Sequence, residues 1–369
     1  MDGAIRAPGA TDENEAMMPA ESEGRGKLLS IRRLLYAALL VVPGTLLADL
    51  LGAGGAPLFV LSVLALVPLA WVIGEATEQV GEYTGPSIAA LLNASFGNAP
   101  ELIVGLLAVH RGLFDVVRGS LAGSVISNLL LVLGFSVLVG GKGSITRRAV
   151  YPPLGMVALA GLLFGVPWLA GDATAYQRLT VPGIVVAGFL LAVYCVATVR
   201  STLAERRQSK GNDHAGGREW SLRRALITLA LATVATVAMS QILTASIEQF
   251  ARSAGMSDLF VSAVIVAIAG NAAEHGGAIV IAAHGSIRLA SEIAFQSASQ
   301  VAVGVIPAVV LLSLAIRPLP LFFHWTEYLG FAIAVAVPAL FLLRGRSVRW
   351  HGLGLLITYV AVATVFFSV

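Results

Sequence analysis

Gly97-Asn98-Ala99-Pro100-Glu101 occurs a second time in this chain as Gly270-Asn271-Ala272-Ala273-Glu274. Each copy lies inside a long apolar segment, and the two begin 173 residues apart (270 − 97). A carboxylate near the centre of a membrane helix costs about 2.5–3.5 kcal/mol on insertion scales. Because the chain bears this cost twice in the same five-residue pattern, we interpret the two copies as the halves of one ion site.

The composition is that of a polytopic membrane protein. Of the 369 residues, 57% are hydrophobic and 12% are charged, and the charged share is half of the roughly 25% found in soluble domains. The net charge of +3 does not indicate nucleic-acid binding, because the basic residues lie in loops between apolar segments. A single cysteine, Cys195, excludes an intramolecular disulfide.

The hydropathy pattern predicts an all-α protein of about eleven transmembrane helices, since a spanning helix needs about 20 mostly apolar residues. Residues 1–30 are predicted to be a disordered cytosolic tail without a signal-peptide core, and residues 200–223 a basic cytosolic linker. The eleven segments are expected at about 31–51, 57–80, 87–109, 117–139, 149–170, 177–199, 224–248, 258–283, 290–316, 326–343 and 352–368.

The basic loops predict the orientation in the membrane. Arg and Lys concentrate in the loops at 25–33, 142–148, 200–224 and 344–349. With eleven crossings these loops all fall on one side, and the positive-inside rule makes that side the cytoplasm. The N-terminus is therefore expected in the cytoplasm, and the short tails favour a prokaryotic plasma membrane.

The motif offset extends along the chain and predicts an internal repeat. The same shift places Gly112 on Gly285 and Ser124 on Ser297, and it puts Ser127 opposite Gln300. Helices two to six (residues 57–199) thus match helices seven to eleven (residues 224–369), and the first helix stands outside. Because each unit has five crossings, the second must run in the opposite direction, which is the inverted repeat typical of secondary transporters.

The residue types in the motif favour a hard cation. Glycine and Pro100 permit an opened helix with freed carbonyls, which membranes tolerate where the backbone lines a cavity. Asn98 and Glu101 are three residues apart and are expected on one helical face. Two copies together offer two carboxylates and neutral oxygens, which suits calcium better than magnesium or the soft metals.

Two carboxylates in one site also predict coupling to protons. In a low-dielectric site they repel each other and lose hydration, so an empty, doubly charged site is costly to carry across the membrane. The site can return with protons once calcium has left. No nucleotide-binding loop is visible, so the expected driving force is an ion gradient and not ATP.

These residues resemble a known family. The stretches 97–103 and 270–275 resemble the two signature repeats of the calcium/proton exchangers, within the calcium/cation antiporter superfamily, and 119–129 and 75–78 resemble neighbouring family segments. The resemblance implies that Glu101 and Glu274 bind the cation and protons, with Asn98 and Asn271 beside them. It also implies an eleven-helix fold. The basic linker departs from the acidic segment expected, and Gln296 stands where a glycine is expected.

Other polar residues are candidates for supporting roles. Those near the motifs either supply oxygens or serve helix packing; they are Gly97, Gly270, Ser124, Ser127, Asn128, Ser297 and Gln300. Acids near helix ends either attract cations in a vestibule or are solvated caps; they are Glu75, Glu78 and Glu248. His275 is a candidate proton relay, although it points about 100° away from Glu274.

The sequence therefore predicts a secondary active antiporter that exports cytosolic calcium against inward protons. Sodium/calcium exchange, or exchange of another cation for protons, is the nearest rival. An intramembrane enzyme is disfavoured because inverted symmetry gives the two acids equal roles, and a channel more often builds its pore by oligomerisation. The expected partners are the bilayer, calcium and protons; no organic cofactor is expected, and the oligomeric state is left open.

Overall fold

The structure of the protein is a computed structural model that describes residues 32–84, 88–89, 92, 95–165, 176–208, 219–319, 323–342 and 345–368. The predicted cytosolic tail, parts of the first half of the third helix and the middle of the linker lie outside these residues. The described residues are almost entirely helical, as the apolar segments predict, because a helix satisfies its own backbone hydrogen bonds in lipid.

Among the described residues, eleven helical segments follow one another in the order expected. Their bounds are α1 Arg32–Leu50, α2 Gly55–Thr84, α3 Ala99–Arg111, α4 Phe114–Gly140, α5 Arg147–Phe164, α6 Tyr176–Gln208, α7 Leu222–Ala254, α8 in two halves Asp258–Gly270 and Ala272–Ala283, α9 Ile287–Ser313, α10 Trp325–Leu342, and α11 Arg349–Phe367.

Within the described residues, most of these helices are long enough to cross a membrane. Eight of them are apolar enough to do so, and α8 adds a ninth span if its two halves are counted together. The remaining segments, α3 and α5, are shorter. The fold class is thus the polytopic all-α architecture that the hydropathy pattern predicts.

The helix bounds repeat at the motif offset. Shifting α4 by 173 residues reproduces the bounds of α9, and shifting α3 reproduces the second half of α8 to within one residue. Both α4 and α9 widen into π-helical turns at equivalent places, Ser127–Val132 and Val301–Val305. Gly112 and Gly285, which follow α3 and α8, both take left-handed φ values of 76° and 86°, which glycine adopts without steric cost.

Helices α2 and α7 pack against each other in opposite directions. At one end Gln79 Oε1, late in α2, accepts the backbone N–H of Trp220 just before α7, at 3.1 Å. At the other end Gln249 Oε1, late in α7, accepts the N–H of Gly55 at the start of α2, at 3.0 Å. Two equivalent glutamines thus fix both ends of the pair, and the start of each helix lies at the end of the other.

Two basic loops meet in a short antiparallel ribbon. Strand β1, Gly143–Ser144, pairs with β2, Arg346–Ser347. The hydroxyl of Ser347 also donates to the carbonyl of Gly141 at 3.1 Å. The ribbon places the loop between α4 and α5 beside the loop between α10 and α11, on one face of the helical bundle.

The first helix lies outside the main packing and is joined to α2 by polar contacts. Arg32 forms an ion pair with Glu75 at 2.7 Å, and the Tyr36 hydroxyl donates to the other oxygen of the same carboxylate at 3.0 Å. The large hydrophobic side chains of α1 that remain exposed are all leucines, as expected for a lipid-facing helix.

Candidate functional site

The helices open at both copies of the motif. Asn271 leaves helical geometry at φ −93° and ψ 9°, and the two halves of α8 meet there at an angle of 63°. Asn98 takes the equivalent conformation, with φ −102° and ψ 16°. Proline is not needed for this break, because Ala273 occupies the position of Pro100 in the second copy.

The break also changes the expected relation between Asn and Glu. They were expected on one continuous helical face, but each Asn precedes a helix and each Glu lies in that helix's first turn. Glu101 and Glu274 therefore sit at the positive end of a helix dipole, which stabilises negative charge.

The two motifs meet in space. An ideal Cβ placed on Gly270 would lie 3.2 Å from Oε1 of Glu101, so the carboxylate of the first copy lies directly against the backbone of the second. The two carboxylates are also close enough for the charge of Glu274 to act on Glu101.

Each asparagine bonds across to the opposite repeat. Asn98, in the first repeat, donates to Oε1 of Gln300 on α9 at 3.2 Å. Asn271, in the second repeat, donates to the hydroxyl of Ser124 on α4 at 2.9 Å and accepts a longer contact from Asn128 at 3.5 Å. These crossed bonds tie the helix breaks of both repeats to the helix that follows the other motif.

Several oxygens at this meeting point are buried without a protein partner. Glu101 is buried and Glu274 half-buried, and Oε2 of each is cut off from solvent and accepts no hydrogen bond in the described part of the chain. The Ser297 hydroxyl is also buried and approaches Glu274. Buried oxygens are normally satisfied, so the two carboxylate oxygens are available as ligands, with the Ser297 hydroxyl close to one of them.

The donor set suits calcium as a transported substrate. Calcium binds carboxylate, amide and hydroxyl oxygens in flexible geometry, and two carboxylates balance its charge. Among the described residues, no group of three or more His, Cys, Asp or Glu side chains comes together. A cation held here therefore needs neutral oxygens in addition to Glu101 and Glu274.

The remaining candidates near the motif differ in their surroundings. The Ser127 hydroxyl donates to the carbonyl of Ser124 within its own helix, at 3.2 Å, and the amide of Asn128 donates to the same carbonyl at 2.9 Å. Gly97 is half-buried and Gly270 is buried beside Glu101. Ser127 is thus satisfied locally, whereas Asn128 also reaches the second motif.

The three vestibule candidates lie apart from the carboxylate pair. Glu75 is occupied by Arg32 and Tyr36, as described above. Glu78 is exposed on α2. Glu248 is exposed near the end of α7 and pairs with Arg252 one turn later, at 3.6 Å.

Two further side chains near Glu101 and Glu274, Tyr194 and His275, are less clearly indicated as site residues by the sequence. The Tyr194 ring packs against Gly304, and Glu274 acts on its phenol electrostatically. Tyr194 lies in an apolar run of α6 without a motif, so sequence reasoning missed it. His275 is buried, and its Nε2 atom has no hydrogen-bond partner in the described residues.

Comparison with known proteins adds evidence from outside the chain. A family model described as "Sodium/calcium exchanger protein" matches the chain in two stretches, residues 55–203 and 224–368. The Ca(2+)/H(+) antiporter ChaA of Bacillus subtilis (strain 168) is 33% identical over 337 residues, covering 88% of this chain and 96% of the relative. The vacuolar calcium ion transporter of Schizosaccharomyces pombe is 33% identical over 346 residues, covering 89% and 83%.

Solved structures share the fold. The structure of native YfkE matches with a TM-score of 0.77 and 31% identity, covering 91% of this chain and 100% of that one. A crystal structure of the H+/Ca2+ exchanger CAX matches with a TM-score of 0.67 over 91% of each chain. Its identity is 15%, so that likeness concerns the fold alone.

Proposed function

The chain belongs to the calcium/proton antiporter family of the calcium/cation antiporter superfamily, and we propose that its calcium and proton site is formed by Glu101 and Glu274. It is a transporter and not an enzyme. The observation that carries the proposal is the contact between Glu101 and Gly270, which brings the acid of one repeat against the motif of the other. Asn98 and Asn271 hold the two helix breaks beside it.

Exchange follows from the charge of this pair. Calcium bound between the carboxylates neutralises both, and the neutral oxygens complete its coordination. After calcium leaves, two unscreened negative charges remain in a site of low dielectric, where repulsion is strong. Protons relieve that repulsion. The site therefore changes the side to which it is open only when it holds either calcium or protons. The two substrates compete for the same oxygens.

We further propose that the N-terminus is cytoplasmic and that the protein exports calcium across a prokaryotic plasma membrane. The ribbon between β1 and β2 supports this orientation, because it brings the two basic loops around Lys142 and Arg349 to the same face of the bundle. Positive loops on one face are expected to be cytoplasmic. The relatives include both a bacterial antiporter and a vacuolar transporter, so the assignment to a prokaryotic plasma membrane rests on the sequence.

Proton coupling is proposed over sodium coupling. Three of the relatives at 30–33% identity are named for exchange of calcium or other cations with protons. The sodium–calcium exchanger NCX_Mj matches with 16% identity, which supports the shared fold only.

The test is calcium flux in proteoliposomes of the purified protein. An imposed proton gradient without sodium is expected to drive calcium accumulation, and Glu101→Gln or Glu274→Gln is expected to abolish it while the protein still inserts and remains monodisperse. Asp49→Asn, which changes an exposed carboxylate at the end of α1, is the matched control and is expected to transport normally. Transport that survives both glutamine substitutions, or that requires sodium, contradicts the proposal.

A further inference from the structure

One turn after the exposed Arg288, three further polar side chains follow the same face of α9. Glu292, Gln296 and Gln300 are spaced four residues apart, so they form a stripe along the helix. Glu292 is half-buried, Gln296 is exposed, and Gln300 accepts the hydrogen bond from Asn98. The stripe thus begins near the start of α9 and ends at the first motif.

The exposed amide of Gln296 indicates water inside the membrane. It is the tenth residue of α9, about 14 Å along the helix at 1.5 Å per residue, and therefore close to the midplane of a hydrocarbon layer about 30 Å thick. Polar side chains at this depth face a protein interior or a water-filled cavity, because facing lipid is costly.

The second half of α8 packs against α9 and leaves open space beside two of its glycines. A Cβ placed on either Gly276 or Gly277 would meet no atom within 4 Å. These glycines follow Glu274 by two and three residues, and Glu274 is itself only half-buried. Open space therefore lies beside α8 within one turn of one of the two carboxylates.

The equivalent positions in the other repeat are closed. Gly119 and Gly123 on α4 correspond to Glu292 and Gln296 at the offset of 173 residues. A Cβ on Gly119 would lie 2.1 Å from the Ser262 hydroxyl, and one on Gly123 would lie 2.0 Å from the carbonyl of Ala263. Helix α4 thus contacts the first half of α8 almost backbone to backbone, with no room for a path.

We propose that Glu292, Gln296 and Gln300 form the route by which calcium travels between the cytosol and the carboxylate pair, with Glu292 as the residue that captures the ion. This inference rests on the proposed function and on the proposed orientation, in which the start of α9 faces the cytosol. Glu292 forms no ion pair or hydrogen bond in the described residues, so its charge is available to a passing cation. The two amides then offer oxygens that replace water one step at a time.

Thiol labelling tests where the route opens. Cys195 is the only cysteine, so Cys195→Ala provides a background for Gln296→Cys. A charged, membrane-impermeant methanethiosulfonate is expected to react with this thiol at least tenfold faster in inside-out vesicles than in right-side-out vesicles. The control is Val360→Cys, an exposed position on the apolar surface of α11, which is expected to react from neither side. Absence of reaction at position 296, or equal reaction from both sides, overturns the route.

Transport kinetics test the capture residue. Glu292→Gln is expected to raise the KM for calcium presented on the cytosolic side by about three- to tenfold. This is the effect expected when a divalent ion loses its attraction to one negative charge close to water. The maximal rate and the KM from the outer side are expected to stay within twofold. An unchanged cytosolic KM removes Glu292 from the route, whereas loss of the maximal rate from both sides contradicts a capture role. If the proposed route is wrong but the carboxylate site is right, the Gln296→Cys and Glu292→Gln variants still show proton-driven calcium flux. The outcome for the route is therefore distinguishable from the outcome for Glu101 and Glu274.

Discussion

Gly270→Ala is expected to weaken calcium binding without removing any ligand. The new methyl group would lie 3.2 Å from Oε1 of Glu101, which is tighter than ordinary carbon–oxygen contact, so the carboxylate must move by a few tenths of an ångström. Overpacking a fitted site costs about 1–3 kcal/mol. A factor of ten in binding corresponds to about 1.4 kcal/mol, so the KM for calcium should rise about five- to hundredfold. The amount of folded protein should change less than the KM does.

Proton-driven calcium uptake at graded calcium concentrations measures this effect in the proteoliposome assay. Gly188→Ala is the matched control, because an added Cβ at Gly188, in the interior of α6, meets nothing within 4 Å. Both changes exchange glycine for alanine in a transmembrane helix, so they add the same methyl group. A wild-type KM for Gly270→Ala, or an equal loss in Gly188→Ala, would refute the view that the first acid lies against the second motif.

Three further expectations concern the frame around the site. Arg118→Ala leaves Glu327, which is fully buried beside it, without its cation; we expect about 3–5 kcal/mol of destabilisation in thermal unfolding, recovered when Glu327→Leu is added. Gln79→Leu removes the acceptor of the buried Trp220 N–H and should cost about 1–3 kcal/mol, seen as a lower melting temperature with an unchanged calcium KM. Gly123→Ala places a methyl 2.0 Å from a carbonyl of α8 and should abolish transport or expression, and normal flux in this variant would show that α4 and α8 are not in close contact.

Much of the fold could be predicted because a bilayer leaves few choices. Apolar runs of about 20 residues must be helices, so the number and order of the segments follow from hydropathy. The offset between the motifs also predicted which bounds would correspond, and α4 and α9 match without a gap. Between α2 and α7 the equivalent glutamines are 170 residues apart (249 − 79), three fewer than the offset of 173 between the motifs, so these two helices correspond only with a gap of three residues.

The partners of individual polar groups were beyond the sequence. The motif predicted which residues gather, but the crossed bonds from Asn98 to Gln300 and from Asn271 to Ser124 depend on how the two repeats pack. Glu75 resembled a vestibule acid, yet α1 supplies Arg32 to it, a contact that no local pattern encodes. The helix break was inferred from the glycine of the motif and from Pro100, and the second copy opens in the same place without a proline.

The two repeats agree where an ion is held and differ where an ion enters, and this division has a physical reason. An antiporter must offer its two substrates the same ligands from either side, so the positions that bear carboxylates and carboxamides can be equivalent in both halves. Access has no such requirement, and a route must be sealed on one side while it is open on the other. Glycines at 119 and 123 let α4 close against α8, whereas Glu292 and Gln296 at the equivalent positions carry side chains too large for a similar closure of α9. Their asymmetry therefore gives a nearly symmetrical site a preferred side from which calcium is taken up.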